Sequence, residues 1–257
     1  RGEGRRAGVD EPLPVLFEDD WVLVANKPSG LLSQAYERGE DSLCARARVH
    51  LSRGGGSSEP RAHLLHRLDR DVSGACAFAK TSAAASFLGE QFREREVLKE
   101  YIGIVRRWRL GGVQELRHTM RTDEEGVARE VDSDEDEADA RVATLECRPL
   151  CEGPSGVAAV LVRLMTGRRH QIRFQLSAVD SPLLGDPRYG HPRSDGSRKW
   201  IRRPALHAWR LRFAHPVEPH APCETTAPLP ADMRELLSAV QLRPEEVAAR
   251  AAAESFA

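Results

Sequence analysis

Several features that would fix a protein's chemistry early are missing from this sequence. No run approaches the roughly 18 consecutive apolar residues from which a membrane-crossing helix is built, so no membrane association is expected. There is no Cys-x-x-Cys pair. The five cysteines (Cys44, Cys76, Cys147, Cys151, Cys223) are an odd number, which argues against a disulfide framework and for free thiols in a reducing compartment, with Cys76 a small core residue. Nine histidines are scattered without a His-Glu-x-x-His pattern or Cys/His ligand spacing, so no metal is expected. A glycine-rich phosphate loop and an internal repeat are also absent.

What is present bounds the class. The 257 residues suffice for one large domain or two small ones. With 40% apolar and 30% charged residues, the composition is that of a soluble globular protein. The net charge of −1 hides an asymmetry: residues 123–139 hold ten acids and one arginine, and the rest of the chain carries 37 basic against 29 acidic residues. A basic body with an acidic segment is compatible with a polyanionic partner, although charge runs are mostly solvated loops. The chain opens on Arg1, so a processed or trimmed form is expected, and the compartment stays open between cytoplasm and an organelle such as a mitochondrion or plastid.

Residues 1–12 are charged and expected to be disordered. Val15–Phe17 and Trp21–Lys27 read as strands around an acidic turn, stopped by Pro28-Ser29-Gly30. A short helix over 42–52, capped by Asp41 or Ser42, precedes the flexible Gly54–Ser58 run. Thr81 or Ser82 caps a helix to about Arg95 with Phe87, Gln91 and Arg95 on one face, and Val97–Val105 reads as a strand. Residues 106–139 form a hairpin or flap. Val142–Cys147 and Val157–Leu164 are paired strands joined by a Pro149–Gly156 turn. A helix opens near Gly167, with Ile172, Leu176 and Val179 at helical spacing and Arg169 and Arg173 on a polar face. A loop over 182–190, a strand over Leu206–Phe213, a helix capped by Asp232 and a frayed Ala/Glu-rich helix from Pro244 complete the chain. Strands outnumber helices and are mostly joined by hairpins, so the fold class is α+β with a mixed, mostly antiparallel sheet flanked by helices and loops. One domain is expected over 13–242, with a tail over 243–257.

The stretch that draws attention is His66-Arg67-Leu68-Asp69-Arg70-Asp71-Val72-Ser73-Gly74, running into the small apolar Ala75–Ala79 and closed by Lys80. Charges crowded at the mouth of a buried strand suit a site on a loop held by a rigid scaffold. A carboxylate between two arginines is expected to stay ionised at neutral pH, fit for a nucleophile or base. The plainer alternative is a set of surface ion pairs, each contributing about 0–1 kcal/mol. These nine residues alone do not separate the two.

Other blocks do. Val22–Gly30, His66-Arg67-Leu68-Asp69 with Ser73-Gly74, Gln91-Phe92, Lys99-Glu100-Tyr101, Thr166–Arg173, Gly185-Asp186-Pro187-Arg188-Tyr189-Gly190, and Leu206–Trp209 with His215-Pro216 follow one another in the order of the RluA-type RNA pseudouridine synthases. The sequence resembles that family from about Pro14 to Ala239. The resemblance implies the family's catalytic fold with a central cleft and an isomerase acting on ribosomal or transfer RNA. It also implies that Asp69 is the catalytic aspartate, Tyr101 the aromatic stacked on the target base, and Arg173 the basic partner of that aspartate. Arg67 matches an arginine implicated in holding the target nucleotide out of its helix. Arg70, Arg168, Arg169, His170 and Arg188 are then candidate RNA contacts, while His207 and Trp209 are expected to pack the sheet. His66 and His170 suit structural hydrogen bonding as well as RNA contact. Because the isomerisation involves no redox change, no cofactor is implied. The expected partner is RNA, with its uridine flipped out or in a loop, and the protein is expected to be monomeric.

Three departures from the family pattern stand out. Val72 replaces a usual threonine, and Arg169 a small polar residue. The length before Val15 leaves no room for the small RNA-binding domain that often precedes the catalytic one, so substrate choice is expected to rest on the catalytic domain or on sequence beyond this chain. Two rival readings are an inactive RNA-binding or ribosome-assembly module of the same fold, and an aspartate-nucleophile hydrolase of another fold. Retention of Asp69, Tyr101 and Arg173 together argues against the first. The second needs a metal or phosphate loop.

Overall fold

A computed structural model describes residues 11–37, 39–53, 61–131, 139–190, 197–218 and 221–254. All but the last two residues of the expected disordered segment, the Gly54–Ser58 run and residues 132–138 of the acidic segment lie outside them. In chain order the elements are β1 (Val15–Glu18), β2 (Val22–Lys27), α1 (Leu43–Arg53), β3 (His63–Leu64), β4 (Ser73–Ala79), α2 (Ser82–Glu94), β5 (Leu98–Val105), β6 (Gln114–Thr122), β7 (Ala128–Glu130), β8 (Arg141–Glu152), β9 (Ala158–Leu164), α3 (Gln171–Ala178), β10 (Leu206–Ala214), β11 (Pro222–Thr226), α4 (Ala231–Ala239) and α5 (Pro244–Ala253). The fold class is α+β. Two compact units are formed, Arg1–Val97 with Arg210–Ala227, and Leu98–Trp209 with Pro228–Ala257.

In the first unit β2 lies antiparallel between β1 and β4, with Lys27 opposite Gly74 and Val22 opposite Ala79. Every residue of β4 is buried, as befits a strand covered on both faces. Ala75, Ala77 and Ala79 share a core with Val22, Val24, Leu211, Phe213 and the buried face of α2. That helix begins where its cap dictates, with Thr81 Oγ1 accepting the Ala84 amide at 3.1 Å. Its buried face is Ala84, Leu88 and Gln91; of the residues expected to share one face, Gln91 is buried and Phe87 packs against the same core. Arg95 is instead the left-handed residue that ends the helix. Gln91 is buried because its amide mimics a strand partner, donating to the Ala214 carbonyl at 3.0 Å and accepting the Ala214 amide at 2.8 Å. Asp19 closes the β1–β2 turn by accepting the Trp21 and Val22 amides, and its other oxygen meets His215 at 2.7 Å.

The second unit is an antiparallel sheet in the order β5-β9-β8-β6-β7. Half of the residues expected to turn at 149–156 continue β8 to Glu152, through an irregularity between Pro149 and Cys151, and the turn itself is confined to 153–157. The helix expected near Gly167 starts only at Gln171, behind a left-handed His170. Arg169 therefore precedes it, and Arg173 is buried in the interior rather than lying on a polar face. Asp232 does not cap α4; Pro230 stands at the cap, and Asp232 clasps the Arg203 guanidinium at 2.7 and 2.9 Å. The segment expected to fray is a packed helix. Val247 and Ala251 of α5 are fully buried with Met233, Leu236 and Leu237 of α4 and Ile102 and Ile104 of β5, and Arg250 donates to the Leu150 carbonyl at 2.9 Å. His207 and Trp209 are buried as expected. All five cysteines are free, and burial pushes the thiols of Cys76 and Cys147 up to about 12.

Two measurements check these assignments. Val247→Ala removes two buried carbons and is expected to cost about 2 kcal/mol in urea denaturation; a frayed tail would lose almost nothing. Burial of Asp19 raises its pKa, but the Trp21 and Val22 amides and His215 outweigh this and hold it below the ordinary carboxylate range. Its stabilisation is thus present above the unfolded-state value near 4 and is lost as pH falls through the lower folded value. Asp19→Asn is expected to flatten the fall in melting temperature between about pH 5 and 3.

Candidate active site

Asp69 sits on the loop between β3 and β4, and the backbone on either side of it is pinned from below. On one side Ser33 Oγ donates to the Leu68 carbonyl at 2.8 Å and accepts the Leu68 amide at 3.0 Å. On the other, the fully buried Lys27 ammonium donates to the carbonyls of Arg70, Pro28 and Leu31 at 2.9, 3.0 and 2.7 Å. A buried cation is tolerable only when its donors are satisfied, and three carbonyls match the three ammonium protons. The Val72 amide closes a turn on the Asp69 carbonyl at 3.1 Å. Gly30 and Arg70 exchange backbone and side-chain bonds, Gly30 N to Arg70 O at 2.9 Å and Arg70 Nε to Gly30 O at 3.0 Å. Asn26-Lys27-Pro28-Ser29-Gly30 is thus the footing of the Asp69 loop. Val72, standing where the family usually has threonine, is buried, so its apolar side chain suits its place. His66 is structural: its Nε2 accepts the Ala77 amide at 3.2 Å and its ring stacks on Phe92 at 5.1 Å. Arg67 and Arg70 are exposed and Asp69 is half-buried.

The second unit holds the other expected residues. Tyr101 is buried on β5 opposite Val162. The 182–186 segment runs beside the end of the same strand, with the Leu184 amide on the Ile104 carbonyl at 2.8 Å and the Arg106 amide on the Pro182 carbonyl at 2.9 Å. Gly103 makes room for it, since a Cβ there would come within 2.9 Å of Leu183. This segment delivers Asp186, whose carboxylate receives Arg173 Nε at 2.7 Å and Nη2 at 2.9 Å in a buried two-point contact. Asp186 also accepts the amides of Arg188 and Tyr189 at 2.9 and 3.1 Å. The Arg173 guanidinium carbon lies 5.2 Å from the centre of the Tyr189 ring, a cation–π contact. His170 Nδ1 lies 3.0 Å from the Tyr189 hydroxyl.

Helix α3 is fixed under this cluster by two buried amides. Gln171 bridges Thr166, the Arg168 amide and the Thr144 carbonyl, and Gln175 donates to the carbonyls of Leu116 and Ala143. Arg168, Arg169 and Arg188 remain exposed. The structure therefore brings Arg67, Asp69 and Arg70 together in one unit, and Arg173, His170 and Arg188 together around Asp186 in the other. Sequence reading gave no role to Lys27, Ser33, Asp186 or Tyr189. The Gly185–Gly190 block contained the last two, and only the polarity of Asp186 within an otherwise turn-like run signalled a buried partner.

One unit thus presents a half-buried acid on a braced loop, and the other holds a buried arginine by two bonds to a carboxylate; charged groups fixed on a rigid scaffold are the mark of an enzyme. The family model for RNA pseudouridylate synthase matches residues 21–178, so the chain belongs to the RNA pseudouridylate synthase family, in its RluA-type branch, and is an isomerase. It is 34% identical over 252 residues to the ribosomal large subunit pseudouridine synthase D of Xanthomonas campestris pv. campestris, covering 95% of this chain and 72% of that one. It is 33% identical to the enzyme of the same name from Yersinia pestis, covering 95% and 75%. Among solved structures it resembles human RNA pseudouridylate synthase domain containing 4, with a TM-score of 0.71 and 25% identity, over 89% of this chain and 93% of that one.

Asp186→Asn is expected to destabilise the protein by about 3 kcal/mol or more, because the Arg173 charge would stay buried without its counter-charge. Chemical denaturation reads this directly, and a loss below 1 kcal/mol would mean that the pair is not the support of α3.

Proposed function

We propose that the protein converts specific uridines of large-subunit ribosomal RNA to pseudouridine, with Asp69 as the reacting carboxylate. The observation that carries this reading is that relatives 31–34% identical over 95% of the chain bear the name of large-subunit ribosomal enzymes. Asp69, Tyr101 and Arg173 all fall within the span matched by the family model.

The chemistry asks little beyond positioning and charge. The bond from the ribose anomeric carbon to ring nitrogen 1 breaks, the uracil turns, and a new bond forms from the same carbon to ring carbon 5. Carbon 5 loses its hydrogen and nitrogen 1 ends with one, so the product is an isomer of the substrate. An ionised Asp69 serves as nucleophile or base. Arg173 offers a guanidinium whose orientation Asp186 sets, suited to steadying a carboxylate or a departing uracil anion. Tyr101 gives the freed base a flat surface to turn against. Arg67, Arg70, Arg168, Arg169, His170 and Arg188 are the proposed RNA contacts, the arginines through phosphates, and the uridine is reached by flipping it out or from a loop.

The test uses RNA tritiated at uracil carbon 5. Wild type is expected to release tritium from a large-subunit ribosomal transcript and not from transfer RNA, and Asp69→Asn to lower the rate by about a thousandfold or more. Release that persists in Asp69→Asn would remove Asp69 from the chemistry. Absence of release from every RNA, with binding intact, would favour an inactive binding module.

A further inference from the structure

Tyr189 joins three things that nothing in the reaction chemistry assigns to it. Its ring lies against the Arg173 guanidinium at 5.2 Å and packs edge-on to Phe174 at 6.4 Å. Its hydroxyl accepts the Ala128 amide of β7 at 2.7 Å. The same hydroxyl lies 3.0 Å from His170 Nδ1. Around it, Met120, Ala128, Ala143 and Phe174 form a small apolar cluster, which seats the β6–β7 hairpin on α3.

The docked hairpin does more than cover this cluster. Its turn is closed by Asp123, which accepts the Val127 amide at 2.7 Å, and the turn tip lies on two of the exposed arginines. Gly126 is in the left-handed region, and a Cβ there would fall 2.5 Å from Arg169 Nη2, so the guanidinium rests against the bare glycine. Arg188 Nη1 reaches the Glu125 carbonyl at 3.4 Å. The pose of both side chains thus depends on the hairpin being docked, and beyond the β6–β7 ladder the Tyr189 hydroxyl ties the Ala128 amide, at the start of β7, to the segment that carries Asp186.

We propose that Tyr189 is a positioning residue with two separable functions: its ring holds the Arg173 guanidinium for turnover, and its hydroxyl latches the β6–β7 hairpin so that Arg169 and Arg188 are set for the RNA backbone. The proposal rests on Arg173 acting at the reacting centre, as proposed above. It divides the kinetic consequences of two substitutions in a way that general loosening of the fold would not.

Steady-state kinetics on the large-subunit ribosomal transcript test it. Tyr189→Phe keeps the ring and is expected to raise KM about tenfold with kcat within twofold of wild type. Tyr189→Leu removes both functions and is expected to raise KM similarly and lower kcat at least thirtyfold. Equal losses of kcat in the two variants, or an unchanged KM in Tyr189→Phe, would overturn the division. Hydrogen exchange reads the latch without turnover: the Ala128 amide is expected to exchange at least tenfold faster in Tyr189→Phe, and unchanged protection would overturn the latch even if Tyr189→Leu failed to fold. Failure of Asp69 as the reacting group would appear separately, as tritium release by Asp69→Asn, and would leave the exchange result standing.

Discussion

The second unit is arranged around one requirement: a guanidinium taken out of water must keep a carboxylate in its plane. Isolated charge in the interior is costly enough that an unpaired Arg173 would not stay buried. The two-point contact with Asp186 meets the requirement at 2.7 and 2.9 Å, and everything near it follows. Asp186 must be delivered at a fixed height, so the 182–186 segment is strapped to β5. Its remaining lone pairs must be filled, so the chain turns back to offer the Arg188 and Tyr189 amides. The same turn swings the Tyr189 ring under the guanidinium. Arg173 is in this way an end point of the packing as well as a chemical group.

The first unit solves the opposite problem, presenting a charged residue rather than hiding one. The Asp69 loop buries Leu68 and Val72, and the polar groups beneath it fix the backbone between them. A fully buried ammonium and a serine hydroxyl hold the residues before and after the aspartate, while Arg67 and Arg70 remain at the surface. Such a loop is rigid in its backbone, which a reactive carboxylate needs.

How much of this was readable from sequence depends on whether the signal was local. The α2 start was readable because Thr81 is a cap whose partner lies three residues away, and β2 and β4 were readable because apolar runs end at turn residues. The role of Gln91 on α2 was not readable, because it bonds a strand far along the chain, which periodicity of apolar residues does not register. Asp232 looked like a cap for the same reason that Asp186 looked like a turn residue: each has a distant arginine that outweighs its local preference. The Ala/Glu-rich α5 has the composition of a solvated helix, yet two small residues, Val247 and Ala251, are enough to seat it. The Asp69 loop and the order of its accompanying blocks were plain in the sequence, while the residues that hold Asp69 and Arg173 in place were not.

The division of the chain into units that are not continuous in sequence bears on how the protein is made. Leu211, Phe213 and Cys223 complete the core of the first unit, but 112 residues of the second unit, Leu98–Trp209, are synthesised in between. The strand bearing the Ala75–Ala79 alanines ends 132 residues before Leu211, so at about 5–20 residues per second it waits roughly 7 to 26 s for its closing partners to be made. Throughout that interval a strand that is buried along its whole length in the finished fold lacks part of its cover, an opening for chaperones that bind apolar chain and for premature association between neighbouring chains on a polysome.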